Sequence, residues 1–139
     1  MPAYRSLAVL AVAAFALSAC SKPAAPAASN PNDPYSGLEP EVLAWRTSIE
    51  ADHPICKEKV KGKGCEAFEV TCKAAQEITP DETKAGVTAK IVAAMTFSAK
   101  TADGSQGKSG SAFAYFSKAG GKWARAEAKP VNPSSCAPL

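Results

Sequence analysis

The chain lacks the features that would point to an enzyme, a membrane-spanning protein or a nucleic-acid binder. It has one histidine, His53, and no Gly-x-Ser-x-Gly motif, so no catalytic nucleophile with a neighbouring base is recognisable. The longest apolar run has 11 residues, whereas a helix that spans a bilayer needs about 20. A formal net charge of +3 in 139 residues gives no sign of a nucleic-acid partner. No cofactor motif or metal-ligand cluster is recognisable either, so we expect neither a cofactor nor a metal.

The first 20 residues are typical of an export signal. Arg5 precedes the apolar run 7–17, and small residues follow that run. The run ends in Leu17-Ser18-Ala19-Cys20, which resembles the lipobox of bacterial lipoproteins: a leucine and two small residues before an invariant cysteine. The resemblance implies that residues 1–19 are removed as a signal peptide and that Cys20 carries a diacylglyceryl thioether and an N-acyl chain. Two or more acyl chains anchor a protein stably to a membrane.

The cysteine count agrees with lipidation of Cys20. Five cysteines cannot all pair, but reserving Cys20 for lipid leaves four that can. Disulfides persist in exported proteins, so we expect these four to be structural. Ordinary secretion with cleavage near Ala25 or Ala28 is the alternative. Ser21 stands where enteric lipoproteins retained in the inner membrane carry Asp, which implies the outer membrane, facing the periplasm.

Residues 20–35 are predicted to form a lipid-bearing, flexible tether before a single domain over residues 36–139. Proline, alanine, serine and asparagine dominate the tether, and it shows no apolar periodicity. Once Arg5 leaves with the signal, 15 basic and 13 acidic residues give a net charge of +2. The mature chain is therefore long enough for one domain with a modest core.

We expect this domain to be α+β, with an N-terminal amphipathic helix packed on a four-stranded, mainly antiparallel sheet and two disulfides. Ser36 and Glu39 predict a capping box for a helix over residues 37–53, and Thr79 and Glu82 predict a second capping box. One apolar stripe runs along the first helix at spacings of three and four. Its members are Leu38, Val42, Trp45 and Ile49.

Alternating apolar and polar residues predict the strands. Residues 66–73 read as one strand with Phe68, Val70 and Cys72 on a common face, and residues 87–101 read as a longer one.

Gly120-Gly121 predicts the two-residue turn of a final hairpin, in which Tyr115 pairs with Ala126. The face that contains Tyr115 sets large residues opposite small ones and carries no charge, so we expect it to pack inward. The opposite face mixes aromatic and charged residues, and we expect it to be exposed as a contact face for an envelope protein. Its residues are Phe116, Trp123 and Arg125.

This choice of face conflicts with a tight turn at Asp103-Gly104. Such a turn would pair Ala94 with Phe113 and place the apolar residues of the preceding strand on the wrong side of the sheet. We therefore predict an extra residue and a longer loop over residues 102–110, whose glycines would tolerate a bulge.

The chain from Pro130 onward is predicted to be a tail, since its prolines cannot continue a strand. A disulfide at Cys136 would hold this tail to the body. Three connectivities are open for Cys56, Cys65, Cys72 and Cys136. We favour Cys56–Cys65 with Cys72–Cys136, because the short loop between the first two closes at low entropic cost. The rival is Cys56–Cys72 with Cys65–Cys136.

Two further polar features have a structural and a functional interpretation. His53 lies at the predicted helix end, where the helix dipole favours an imidazolium. Four alternating lysines between Cys56 and Cys65 form either a solvated, charge-protected loop or an anion patch for lipid phosphates or an acidic partner. They are Lys57, Lys59, Lys61 and Lys63.

These features predict a membrane-anchored envelope lipoprotein that acts as a non-catalytic binding or accessory module. The segments 109–115 and 121–123 resemble the Ser-Gly and Trp-bearing segments of periplasmic lysozyme inhibitors of the lipoprotein type, over about 15 residues. That resemblance implies an alternative function, an inhibitor of an envelope hydrolase such as lysozyme. Those inhibitors are all-β barrels, whereas this domain is expected to open with a helix.

Overall fold

The computed structural model describes residues 33–139 of the chain. Two helices, one 3-10 turn and four strands follow one another along these residues. They are α1 (Glu39–Asp52), a 3-10 turn (Pro54–Cys56), β1 (Cys65–Ala75), α2 (Pro80–Lys84), β2 (Val87–Lys100), β3 (Gln106–Ala119) and β4 (Lys122–Glu127). No helix within residues 33–139 is long and apolar enough to cross a membrane.

The four strands form one antiparallel sheet in the order β1-β2-β3-β4, which confirms the predicted four-stranded sheet. β4 is shorter than its neighbour and pairs only with residues 114–119 of β3. Residues 106–112 of β3 therefore have no partner strand on that side among the described residues. β1 is the other edge of the sheet.

α1 packs on one face of the sheet through the predicted stripe. Leu38, Trp45 and Ile49 are buried, and Val42 packs against the same cluster. The helix starts at residue 39, so the prediction of an N-terminal helix holds for the described residues and not for the chain as a whole.

The predicted capping box of α1 is wrong. Leu38 is the N-cap, and no side chain caps the helix. Ser36 lies in the preceding turn, where its carbonyl oxygen accepts hydrogen bonds from Trp123 Nε1 at 3.0 Å and from Lys118 Nζ at 3.1 Å. The second capping box, at Thr79 and Glu82 of α2, is confirmed.

The hairpin β3–β4 has the predicted register but the opposite orientation. Tyr115 pairs with Ala126, and Phe116 pairs with Arg125, as expected. However, Phe116 is 0% exposed and Trp123 is 7% exposed, and the ring of Trp45 meets Phe116 edge-on at 5.6 Å. The proposed exposed contact face is therefore wrong for Phe116 and Trp123, because these aromatic side chains form the floor beneath α1.

The opposite face of the hairpin is also covered, which explains the error. Phe113 and Tyr115 pack partly buried against Val92 and Val131, under the chain that follows β4. In this hairpin the face that sets large residues opposite small ones packs under the C-terminal tail, and the other face receives α1.

The connection between β2 and β3 is short, and the predicted long loop is wrong. Ala94 pairs with Phe113, the register that the prediction excluded, whereas the predicted extra residue is present, because the pairing shifts between Ser98 and Lys100 opposite residues 107–108. Only residues 101–105 separate the strands. The predicted conflict arises from the wrong assignment of the faces of β3. With Phe116 directed towards α1, the observed register places Phe97 on the same face of the sheet.

The prediction that Phe68, Val70 and Cys72 share one face is wrong, because β1 contains a bulge. The pairing with β2 shifts between Val70 and Cys72, so one extra residue separates them. Phe68 and Val70 therefore pack on the α1 side, whereas Cys72 lies on the other face. An unbroken period-two pattern cannot contain this change of face.

Both favoured disulfides are present. Cys56–Cys65 closes the lysine loop on the α1 side, and Cys72–Cys136 binds the C-terminal tail to β1. The tail is further held by a hydrogen bond of 2.6 Å from Thr71 Oγ1 to the carbonyl oxygen of Pro133. The tail is thus a fixed cover of the second sheet face.

Candidate functional site

An apolar groove of about 320 Å³ lies between α1 and β1. Tyr35, which lies close to the start of the described residues, is part of its wall. We call this feature the α1–β1 groove. Its apolar lining includes Leu38, Val42, Leu43, Phe68, Val70 and Met95.

The groove exists because α1 leaves the edge strand incompletely covered. Trp45 fixes the helix above Phe116 of β3, while Phe68 and Val70 of β1 remain only half-buried. Leu43 lies at the rim with 62% of its surface exposed, although it is a large apolar residue. An open, largely apolar depression of this kind can receive an apolar ligand.

Two cations border the groove, each above an aromatic ring. The Arg46 guanidinium lies 4.8 Å from the ring centre of Phe68, and Lys73 Nζ lies 4.7 Å from that of Tyr35. The two ion pairs found within residues 33–139 involve other lysines, so neither cation is paired with a carboxylate there. Glu39 is the one acidic residue in the lining. The groove therefore combines an apolar floor with a net positive rim.

A second, more polar cleft of about 380 Å³ lies between the end of α1 and the open half of β3. Arg125, the remaining member of the predicted contact face, is exposed and lines this cleft. The cleft also contains His53. Its other lining residues include Ser48, Asp52, Ser111 and Glu127.

His53 has a structural role in this cleft. Its ring meets Phe97 edge-on at 4.8 Å, and its Nδ1 accepts a hydrogen bond from the backbone N–H of Ile55 at 3.4 Å. Burial lowers the pKa of His53 below 6.5. The expectation of an imidazolium stabilised by the helix dipole is therefore wrong, because the ring is packed on an aromatic neighbour and its acceptor nitrogen is used. No carboxylate within residues 33–139 hydrogen-bonds to it.

The lysine loop is a small turn closed by the Cys56–Cys65 disulfide. Val60 and Lys63 form an isolated antiparallel bridge, and Lys61 and Gly62 make the turn with φ of 52° and 77°. The four side chains Lys57, Lys59, Lys61 and Lys63 are all exposed. The structure thus places the predicted anion-patch residues on one solvated loop.

Sequence reasoning missed the α1–β1 groove. The one signal of the groove in the sequence was Leu43, a large apolar residue that lies outside the apolar stripe of α1. Arg46 and Lys73 come from separate elements, so their shared position depends on how α1 crosses β1. Cys20, the predicted lipidation site, lies outside the described residues.

Comparison of the chain with protein-family models, with curated proteins and with solved structures finds no match. Within residues 33–139, no three His, Cys, Asp or Glu side chains cluster as metal ligands.

Proposed function

We propose that this chain is a membrane-anchored envelope lipoprotein whose folded part is a non-catalytic binding module. In this proposal lipid on Cys20 holds the chain at the outer membrane, facing the periplasm. Residues 20–35 act as a tether whose last residue, Tyr35, already packs against the core, and residues 36–139 form the α+β domain. The lipobox-like segment 17–20 and the even number of remaining cysteines support the anchor.

The α1–β1 groove is the observation that carries the binding role. It offers an open apolar surface with exposed Leu43 at its edge, whereas most large apolar side chains of the described residues are buried or half-buried. Exposed apolar surface lined by few polar groups is typical of a ligand or partner site. The structural use of His53, the only histidine of the chain, supports a role without catalysis.

A Cys20→Ser variant tests the anchor. We expect the wild-type chain to lose residues 1–19, to gain the mass of its lipid and to fractionate with the outer membrane. The variant should stay unprocessed, because a serine hydroxyl does not replace the thiol as lipid acceptor. Intact mass and membrane fractionation measure both outcomes.

The matched control for this experiment is Ser21→Ala, which keeps the cysteine and should be processed and lipidated like the wild type. A Cys20→Ser product that is trimmed and free in the periplasm would contradict the proposal and favour ordinary secretion.

A hydrolase inhibitor is the second candidate function. Residues 109–111, which carry part of the resemblance to lysozyme inhibitors, belong to the half of β3 that β4 does not cover, beside the polar cleft. An open strand edge of this kind can bind an extended segment of another protein. Trp123, the other part of the resemblance, is buried and donates to Ser36. Inhibition of lysozyme that is lost in Ser109→Trp and kept in Lys122→Trp would favour this function.

A further inference from the structure

We propose that the α1–β1 groove binds one acyl chain of an anionic phospholipid, with the phosphate placed between Arg46 and Lys73. This inference rests on the proposed function, since the lipid anchor brings the groove to a membrane. It adds a second, non-covalent lipid contact to the covalent one at Cys20.

The lining of the groove suits an acyl chain. Its floor is built from aliphatic and aromatic side chains such as Val70 and Met95, which offer no hydrogen-bond donor and only the weak thioether acceptor of Met95. The volume of about 320 Å³ is at the lower end of the ~300–1,000 Å³ of ligand sites, so it suits one chain and not a whole lipid. The exposed Leu43 at the rim would lose its contact with water when the chain is bound.

The charges at the rim favour an anionic headgroup over a neutral one. The rings beneath Arg46 and Lys73 hold the two cations at the groove, and no carboxylate within residues 33–139 pairs with either. A guanidinium and an ammonium are the side chains that bind phosphate most strongly. Glu39 opposes this preference from the same lining, so Glu39→Gln should increase the affinity.

The position of the groove along the chain supports a membrane lipid. Tyr35 in its wall is the last residue of the predicted tether, and its N–H donates to Asp33 Oδ1 at 2.9 Å. Cys20 lies 13 residues before Asp33, and a proline-rich segment of that length spans about 40 Å at most. The groove is therefore within reach of the bilayer that would hold the anchor. The lipid on Cys20 carries no charge and would leave both cations without a partner.

Native mass spectrometry of the processed full chain in mild detergent tests the inference. We expect one molecule of phosphatidylglycerol to remain bound per chain, in preference to phosphatidylcholine. Each cation near an anionic lipid contributes about a fivefold preference, so Arg46→Glu with Lys73→Glu should abolish it. The control pair Lys108→Glu and Lys122→Glu changes net charge equally at exposed sites outside both the groove and the lysine loop and should keep the preference. Equal binding of both lipids by the wild type would overturn the proposal.

Leu43→Glu tests the location of the acyl chain. We expect it to lose the phosphatidylglycerol adduct at least about fivefold, since it places a carboxylate at the apolar rim. Ala44→Glu adds the same charge one residue further along the exposed face of α1 and should retain the adduct. Similar binding by both variants would overturn the groove as the site. Both positions are exposed, and retention of both disulfides and of the circular dichroism spectrum verifies the fold.

The same spectra separate this inference from the proposed function. The mass of the chain without a bound phospholipid reports whether Cys20 is lipidated. The additional mass of a phospholipid adduct reports whether the groove is occupied. A lipidated chain without any adduct would overturn the groove proposal alone, and it is the result expected if the acyl chains of Cys20 fill the groove. An unlipidated chain would overturn the proposed anchor.

Discussion

The two faces of the sheet are closed by different means. On the α1 face, large side chains such as Phe97 and Phe116 pack beneath the helix. On the other face, Val92 and Ala94 lie under the C-terminal tail, which contributes Val131 and Cys136. The first cover is a 14-residue helix, and the second is an irregular segment that turns back on itself, with an antiparallel bridge between Val131 and Pro138.

The disulfides match this difference. Cys56–Cys65 joins residues only 9 apart within the α1-side cluster, whereas Cys72–Cys136 joins residues 64 apart and is the covalent hold on the tail. The comparison indicates that apolar burial holds the helix in place. The tail buries less apolar surface, so it depends more on a covalent bond.

The largest expected effect compares one aromatic residue from each face. Phe116→Ala should lower the free energy of unfolding by about 3–5 kcal/mol, because it leaves a cavity beneath α1. Phe113→Ala, on the half-buried tail side of the same strand, should cost about 1–2 kcal/mol. Urea denaturation measures both. A larger loss for Phe113→Ala would mean that the tail face is the main core.

Removing each disulfide separately tests the role of the covalent bonds. Replacing Cys72 and Cys136 by Ala should destabilise the domain by about 4 kcal/mol, and replacing Cys56 and Cys65 by Ala by about 2.5 kcal/mol. The difference arises because the longer loop restricts the unfolded chain more. Thermal denaturation of the two double variants provides the measurement, and an equal or reversed loss would contradict the comparison.

A substitution at Gly110 tests how tightly side chains pack on the α1 face of the sheet, in the part of β3 that β4 does not cover. A Cβ there would lie 2.5 Å from Ile55 Cδ1 and 2.7 Å from Phe97 Cε2. Gly110→Ala should therefore cost about 1–3 kcal/mol through overpacking. Ser109→Ala, at an exposed neighbouring position, is the control and should change stability by less than about 0.5 kcal/mol. A neutral Gly110→Ala would show that this part of the face is loosely packed.

The smallest expected effect is a pH dependence of stability from His53. Its pKa is lowered in the folded chain by burial, so the unfolded chain binds the proton more readily below pH 6.5. The contribution of His53 to the free energy of unfolding should then be fully present above pH 6.5 and should decrease as the pH falls from there towards the pKa of the folded chain. His53→Gln should remove this part of the slope between pH 7 and 5, measured by denaturation at each pH. An unchanged slope would mean that other groups cause it.

Local patterns predicted much of the chain correctly. The stripe of α1 and the capping box of α2 follow from residues close in sequence, as does the register set by Gly120-Gly121. The observed disulfide pairing is the one that the cysteine spacing favours among three that the sequence leaves open. These features depend on interactions over a few residues or on the entropy of closing a short loop, and both can be assessed without the tertiary structure.

The errors share one cause, the assignment of faces. An alternating strand has two faces, and the pattern alone does not say which element covers each. A prediction that turns the wrong face of β3 inward also excludes the correct pairing of Ala94 with Phe113 and places Phe116 and Trp123 on the surface. Within β1, the bulge before Cys72 moves this residue to the other face of the sheet, and the alternating pattern does not reveal that change.

The sequence by itself determined the order of the helices and strands and how the last hairpin pairs, and it favoured the observed disulfides among three possible pairings. Only the tertiary structure decided which sheet face receives α1, and with it the position of the α1–β1 groove. The physical reason is that the order of elements along the chain does not specify the angle at which a helix crosses a sheet. That angle leaves β1 half-covered and brings Arg46 and Lys73 to one rim.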